Sequence, residues 1–126
     1  MNIPENLMYT KEHEWVQDVD SNTIRVGLTD FAQDELGDIV FVNLPEVGDN
    51  LVKGESFADV ESVKAVSDVF SPANGTVKAV NEALADDAAL INSDCYGAWL
   101  IEIADVEEKE NLLTAAEYEA FIKEEG

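Results

Sequence analysis

Residues 57–72 read FADVESVKAVSDVFSP, and whether they fold as a helix or as paired strands decides the architecture. Val60, Val63, Val66 and Val69 recur every third residue, as on one face of a helix. Valine is stiff at χ1 and favours strands, and Pro72 with Asn74-Gly75 crowds any helix placed here. Parity is more telling. Ala58 and Val60 fall on even positions, Val63 on an odd one and Val66 on an even one. In an extended chain a change of parity marks a reversal or a bulge, and this one lies at Val63 to Ala65. The stretch therefore predicts strands at about 56–62 and 66–71, with Lys64 at the tip between them.

Working outward, Thr23 to Leu28 alternates apolar and polar residues, the period of a half-buried strand. Asp30 with Gln33 gives a capping-box-like start and Gly37 a left-handed stop, so a short helix is expected at 30–36. Asp38 to Val42 reads as a buried strand, and Leu44 to Gly48 and Lys53-Gly54 supply turns. Asn74-Gly75 is a hairpin signal, and strands are expected at Thr76 to Val80 and Trp99 to Ile103. Toward the end of the chain, Thr114 and Glu117 form a T-x-x-E capping box, with Leu113 and Tyr118 at the staple positions. Tyr118, Phe121 and Ile122 then share one face of a helix near 115–124 that docks on the β body. The expectation is a mainly β chain forming one domain over 1–126, with two helices.

The chain carries 28 acids against seven basic residues, a formal net charge of −21. That charge repels phosphate backbones and anionic lipid, so neither nucleic acid nor a membrane surface is an expected partner. It also predicts attraction to basic partner surfaces that weakens with salt. Cys95 is the sole cysteine and can form no internal disulfide. MNIPENLMYTKEHEW has neither a basic n-region nor an apolar h-region, and the expectation is a cytoplasmic protein.

Nothing in the sequence reads as an active site, and no catalytic residue is assigned. One histidine, His13, and one cysteine cannot build a zinc site, and their pairing as nucleophile and base would require the fold to bring distant segments together. No phosphate-binding glycine loop is present, and the acid pairs Asp86-Asp87 and Glu107-Glu108 lack calcium-loop spacing. A chain with no catalytic constellation and one conspicuously presented lysine suggests a carrier.

Glu61 to Ala65 (ESVKA), followed by Ser67-Asp68 and Ser71-Pro72, resembles the lipoylation motif of the glycine cleavage system H proteins. The likeness extends to YTKEHEW (9–15), GLTDFAQ (27–33), LGDIVFVNLPEVG (36–48), Asn92-Ser93 and the EYEAF ending, from about Leu7 to Phe121. One stretch departs: residues 94–99 read DCYGAW, lacking the proline and the extra glycine-type residue usual there.

The resemblance implies a barrel-sandwich hybrid of two small antiparallel sheets, with lipoic acid joined as an amide to Lys64 at a hairpin tip. It implies that Glu61 and Gly75 are read by the lipoate ligase or lipoyl transferase, and that Glu14 and Asp68 accept the cationic end of the loaded arm in a nearby cleft. The implied role is that of a carrier without catalytic activity of its own. It would take an aminomethyl group from the glycine decarboxylase (P protein) to the aminomethyltransferase (T protein), and the dithiol to the dihydrolipoyl dehydrogenase (L protein). Alternatives are an H-like relay of lipoyl groups in cofactor assembly and an unmodified acidic interaction module. A lipoyl domain of a 2-oxoacid dehydrogenase would carry D-K-A where Val63 precedes the lysine, and a biotin carrier would flank it with methionines.

Overall fold

The computed structural model describes residues 2–125, apart from the side chain of Glu125. In chain order the elements are β1 (Met8–Tyr9), β2 (Glu14–Asp20), β3 (Thr23–Leu28), α1 (Asp30–Leu36), β4 (Ile39–Asn43), β5 (Asn50–Leu51), β6 (Ser56–Ser62), β7 (Val66–Phe70), β8 (Asn74–Val80), α2 (Ala83–Asp86), α3 (Leu90–Ser93), β9 (Ile101–Glu107) and α4 (Ala115–Glu125). The strands form two antiparallel sheets, one in the order β1-β2-β3-β9-β8-β5 and a smaller one in the order β4-β6-β7. The main core lies between them. Ile24 and Val26 from β3 and Ile101 and Ile103 from β9 pack with Val60 and Val69 from the smaller sheet. Among the described residues no helix is long and apolar enough to cross a membrane.

The deciding stretch is a strand–turn–strand. Ala58 pairs with Val69, Val60 with Ser67 and Glu61 with Val66. The three-residue recurrence of valine is thus two inward positions, Val60 and Val69, and two exposed ones, Val63 and Val66, on either side of a reversal.

The expected helix forms at 30–36, but its cap is one residue earlier than read. Thr29 is the N-cap, its hydroxyl accepting from the Ala32 N–H, while Gln33 donates to the Asp30 carboxylate side chain to side chain. Gly37 ends the helix at φ 78°, returning its N–H to the Gln33 carbonyl.

Strand β4 is not the uniformly buried run expected. Ile39 and Val42 face in, while Val40 and Phe41 face water. A register shift against β6 between Ile39 and Phe41 accounts for this: an extra residue at the bulge lets an odd and an even position both point inward.

Asn74-Gly75 is no hairpin turn. Both residues lie in β8, and Gly75 pairs with Leu51 of β5. The chain crosses from the smaller sheet to the larger between β7 and β8, and the strand expected at 99–103 is displaced to Ile101–Glu107. Strands β1, β2 and β5 and the two four-residue helices are further elements beyond those expected.

The C-terminal helix follows its signals. Thr114 N–H donates to Glu117 Oε1 at 2.9 Å and Glu117 N–H to Thr114 Oγ1 at 3.2 Å, the reciprocal pair of a capping box. Tyr118 is fully buried and stacks on Tyr9 with ring centroids 4.7 Å apart, in a second core with Leu7, Trp15 and Ala115. Thr114→Ala removes the cap, and the expected loss is about 1 kcal/mol, seen as a lower denaturation midpoint with the same far-UV spectrum before unfolding.

Candidate functional site

Lys64 sits on a turn that is fixed on all sides. Ser62 N–H donates to the Ala65 carbonyl at 2.8 Å, and the Ser62 hydroxyl accepts from the N–H groups of Lys64 and Ala65. The same hydroxyl donates to the Ala65 carbonyl, and Val63 N–H reaches the Asp38 carbonyl at 3.0 Å. The serine at 62 thus closes a tight reversal for which no glycine is available. The lysine side chain is exposed, and among the described residues its ammonium forms no ion pair.

The lysine stem runs beside the end of α1. A Cβ built on Gly37 would lie 3.5 Å from Lys64 Cε, ordinary van der Waals contact. From there the helix runs back seven residues, ~10 Å at 1.5 Å per residue, to its cap at Thr29. Along this path lies a cleft of about 480 Å³, walled by Glu12 and His13 before β2, by Phe31 and Glu35 on α1, and by Ser67 and Asp68 on β7. Three carboxylates therefore converge on one concavity beside an exposed lysine, an environment that favours a cationic guest.

The cleft wall is held from behind by one phenol. Tyr118 Oη lies 2.9 Å from His13 Nδ1 and 2.8 Å from Thr29 Oγ1, tying the residue before β2 to the cap of α1. His13 takes a left-handed backbone (φ 67°) and rests against the Phe31 ring, with centroids 4.6 Å apart.

The residues singled out from the sequence do not all meet here. Asp68 lines the cleft, and Glu61 stands exposed in β6, opposite Phe41 on one side and Val66 on the other. Glu14 is not a surface acid. It is 1% exposed, accepts from Thr10 Oγ1 and from the Phe70 N–H at 2.8 Å, and is pushed up to about 8. Burial is the main cause, opposed by those two hydrogen bonds and reinforced by Glu110 and Glu12. Gly75 lies in the other sheet, where Ile103 and the Ala104 carbonyl leave no room for a Cβ.

Glu12, His13, Phe31, Glu35 and Ser67 also line the cleft, above an apolar floor that includes Leu28 and Val60, and were not singled out as site residues. For Phe31 and Glu35 a signal was available, since they fall four residues apart on the helix read at 30–36. Cys95 is buried, its thiol pushed up to about 11 mainly by burial, and its carbonyl accepts the Trp15 indole N–H; this is no activated nucleophile. Among the described residues no three of His, Cys, Asp and Glu converge to hold a metal ion.

The sequence profile of the Glycine cleavage H-protein family matches residues 7–125. The chain is 57% identical to a glycine cleavage system H protein of Lachnoclostridium phytofermentans, across 99% of this chain and 98% of that one. It is 55% identical to that of Acidobacterium capsulatum, again across 99% and 98%. The crystal structure of a glycine cleavage system H protein from Mycobacterium marinum superposes with a TM-score of 0.90 at 43% identity, covering 96% of this chain and 99% of that chain. With a rigidly presented lysine, an adjoining acidic cleft and a likeness that runs nearly end to end, this chain belongs to the glycine cleavage H-protein family.

Proposed function

We propose that this protein is the lipoyl-bearing shuttle of a glycine cleavage system, a non-catalytic carrier with lipoic acid on Lys64. The observation that carries the reading is the placement of Lys64: exposed, on a turn fixed by its own hydrogen bonds, with its stem against α1 and an acidic cleft along that helix. Attachment needs a primary amine. Lys64 Nζ would hold the lipoyl group as an amide, ATP activating the lipoate carboxyl and AMP and pyrophosphate being released. Arginine cannot take this role. When bound, lipoic acid supplies a dithiolane that carries an aminomethyl group from the P protein to the T protein and is reoxidised by the L protein.

The chain's own part is position. The Ser62 turn holds the attachment point, α1 sets the direction of the arm, and Asp68 with Glu12 and Glu35 offers acceptors to a cationic terminus. Glu14 supports this wall from within, its two carboxyl oxygens engaged by Thr10 and Phe70. Glu61, exposed three residues before the lysine, is a contact for the attaching enzyme; the part of Gly75 is indirect, through the shape of β8.

The test is to incubate the chain and its Lys64→Ala variant with lipoate, ATP and a lipoate ligase and to record intact masses. One lipoyl increment on the parent, none on the variant, and glycine decarboxylation by P protein with the modified parent alone are expected. No increment on the folded parent would remove the carrier reading.

A further inference from the structure

The outer face of the smaller sheet is unusually apolar around Lys64. Val40, Phe41, Val63 and Val66 are 60, 50, 68 and 65% exposed. Single exposed apolar side chains are ordinary; four on the lysine's own turn and the strands that carry it form a patch. The fold builds it deliberately. The bulge in β4 turns Val40 and Phe41 outward together, and Phe41 and Val66 lie in one row across the sheet, each opposite Glu61. Val63 occupies the turn itself, its N–H laced to the Asp38 carbonyl at the start of β4.

We propose that these four side chains form a collar on which the lipoate-attaching enzyme docks, through an apolar mouth with a basic rim. The inference rests on the reading of Lys64 as the lipoyl site and adds the surface by which the amine is found. Reach and charge both favour this occupant over the later partners. Amide formation requires the enzyme to bring an acyl carbon to bonding distance of Lys64 Nζ, so it must enclose the hairpin, whereas enzymes acting on the dithiolane work at the far end of the arm. Charge agrees: across β4, β6, β7 and the intervening turn, Lys64 is the one basic residue, among Asp59, Glu61 and Asp68. An apolar centre with an acidic border calls for an apolar site with a basic border. The turn's internal hydrogen bonds mean that little ordering is needed on docking.

A built-in comparison exists at Lys53. It too follows an exposed valine, Val52 at 50%, with Val47 at 63% in the same β4–β6 connection, but there is no row of apolar side chains across a sheet. The collar, not a neighbouring valine, is what distinguishes Lys64.

The experiment measures lipoyl transfer from lipoate and ATP by a lipoate ligase, as initial rates against concentration of the chain, by intact mass. Binding of the ligase to the unmodified chain is followed by calorimetry. Val63→Ser changes a turn residue outside any strand; Phe41→Ser/Val63→Ser removes both sides of the collar; Val47→Ser/Val52→Ser is the equally exposed control. The collar variants are expected to raise KM and Kd about tenfold with kcat and the thermal midpoint little changed, and the control to match the parent. A parent that is acylated while the collar variants are acylated equally well overturns the proposal. So does an equal loss in the control pair, or a parent that self-associates in sedimentation through the collar, which would give the face to a second copy. A parent that accepts no lipoate at all instead removes the proposed function, and the collar falls with it.

Discussion

Gly75→Ala is expected to lose about 3 kcal/mol of stability, lowering the midpoint of thermal unfolding by roughly 10 °C. A Cβ at this position would lie 2.5 Å from Ile103 Cγ2 and 2.6 Å from the Ala104 carbonyl oxygen. The second contact decides the size of the effect, because a backbone carbonyl in the middle of β9 cannot swing away as a side-chain end can. The site is also where β8 shifts register against β9, between Asn74 and Thr76, so the strand has already been bent to bring the backbones close. Differential scanning calorimetry of parent and variant measures the loss; a midpoint within 2–3 °C of the parent, on the order of 1 kcal/mol or less, would contradict the argument.

The same variant separates two meanings of a glycine. Gly75 lies in the larger sheet, while Lys64 projects from the smaller one, and a glycine has no side chain to offer a ligase. Lipoylation of Gly75→Ala should therefore fall only as far as its folded fraction falls. Slow acylation of a fully folded variant would instead mean that the attaching enzyme senses Gly75 or the shape of β8 around it.

How much of this was legible in the sequence follows from where the information is stored. The lysine hairpin could be read because a period of two leaves no freedom: a parity change within seven residues must be a reversal or a bulge. Helix α4 could be read because its cap, staple and first apolar pair are all local, and α1 because Gly37 closes it. Strand β2 gave no comparable signal, since in EWVQDVD only Glu14, Trp15 and Val16 are buried in a row, Gln17 is half-buried and the last three residues, the apolar Val19 among them, face water. Asn74-Gly75 misled for a related reason. The pair has the local preference of a two-residue turn, but the glycine is there because two neighbouring strands close on it, a tertiary cause that no local pattern carries. Strand β4 read as buried because composition alone cannot show a bulge, and the bulge is what gives the lysine its apolar surroundings. The cleft is still less local. Its walls come from residues 12–13, 28, 31–36, 60 and 67–69, and only the family likeness pointed to it at all, through Asp68.

Glu14 is where that likeness and the structure part most usefully, and it carries the second large expectation. Its carboxyl is buried between the sheets, latching the Phe70 N–H of β7 to β2, in the neighbourhood of Glu12 and Glu110. Burial, reinforced by those acids, raises it from the ordinary 4.5 to about 8. The sign follows from proton counting. Between about pH 4.5 and 8 the folded chain holds a proton on Glu14 that the unfolded chain has released. Stability on this account is therefore full below 4.5, falls as pH rises through the window, and is level above 8. A shift of this size corresponds to a swing on the order of 5 kcal/mol.

Glu14→Gln removes the titration and keeps an acceptor for Phe70. Its amide must share Thr10 Oγ1 with the N–H groups of Glu12 and Glu14, which adds a cost that does not vary with pH. Urea titrations of both proteins at pH 5, 6.5 and 8 should therefore diverge, with the variant gaining on the parent by a few kcal/mol across the series. Parallel curves would mean that Glu14 is ionised throughout. The sheets would then be held by a charged latch, and the cleft would have a permanent fourth anion behind its wall.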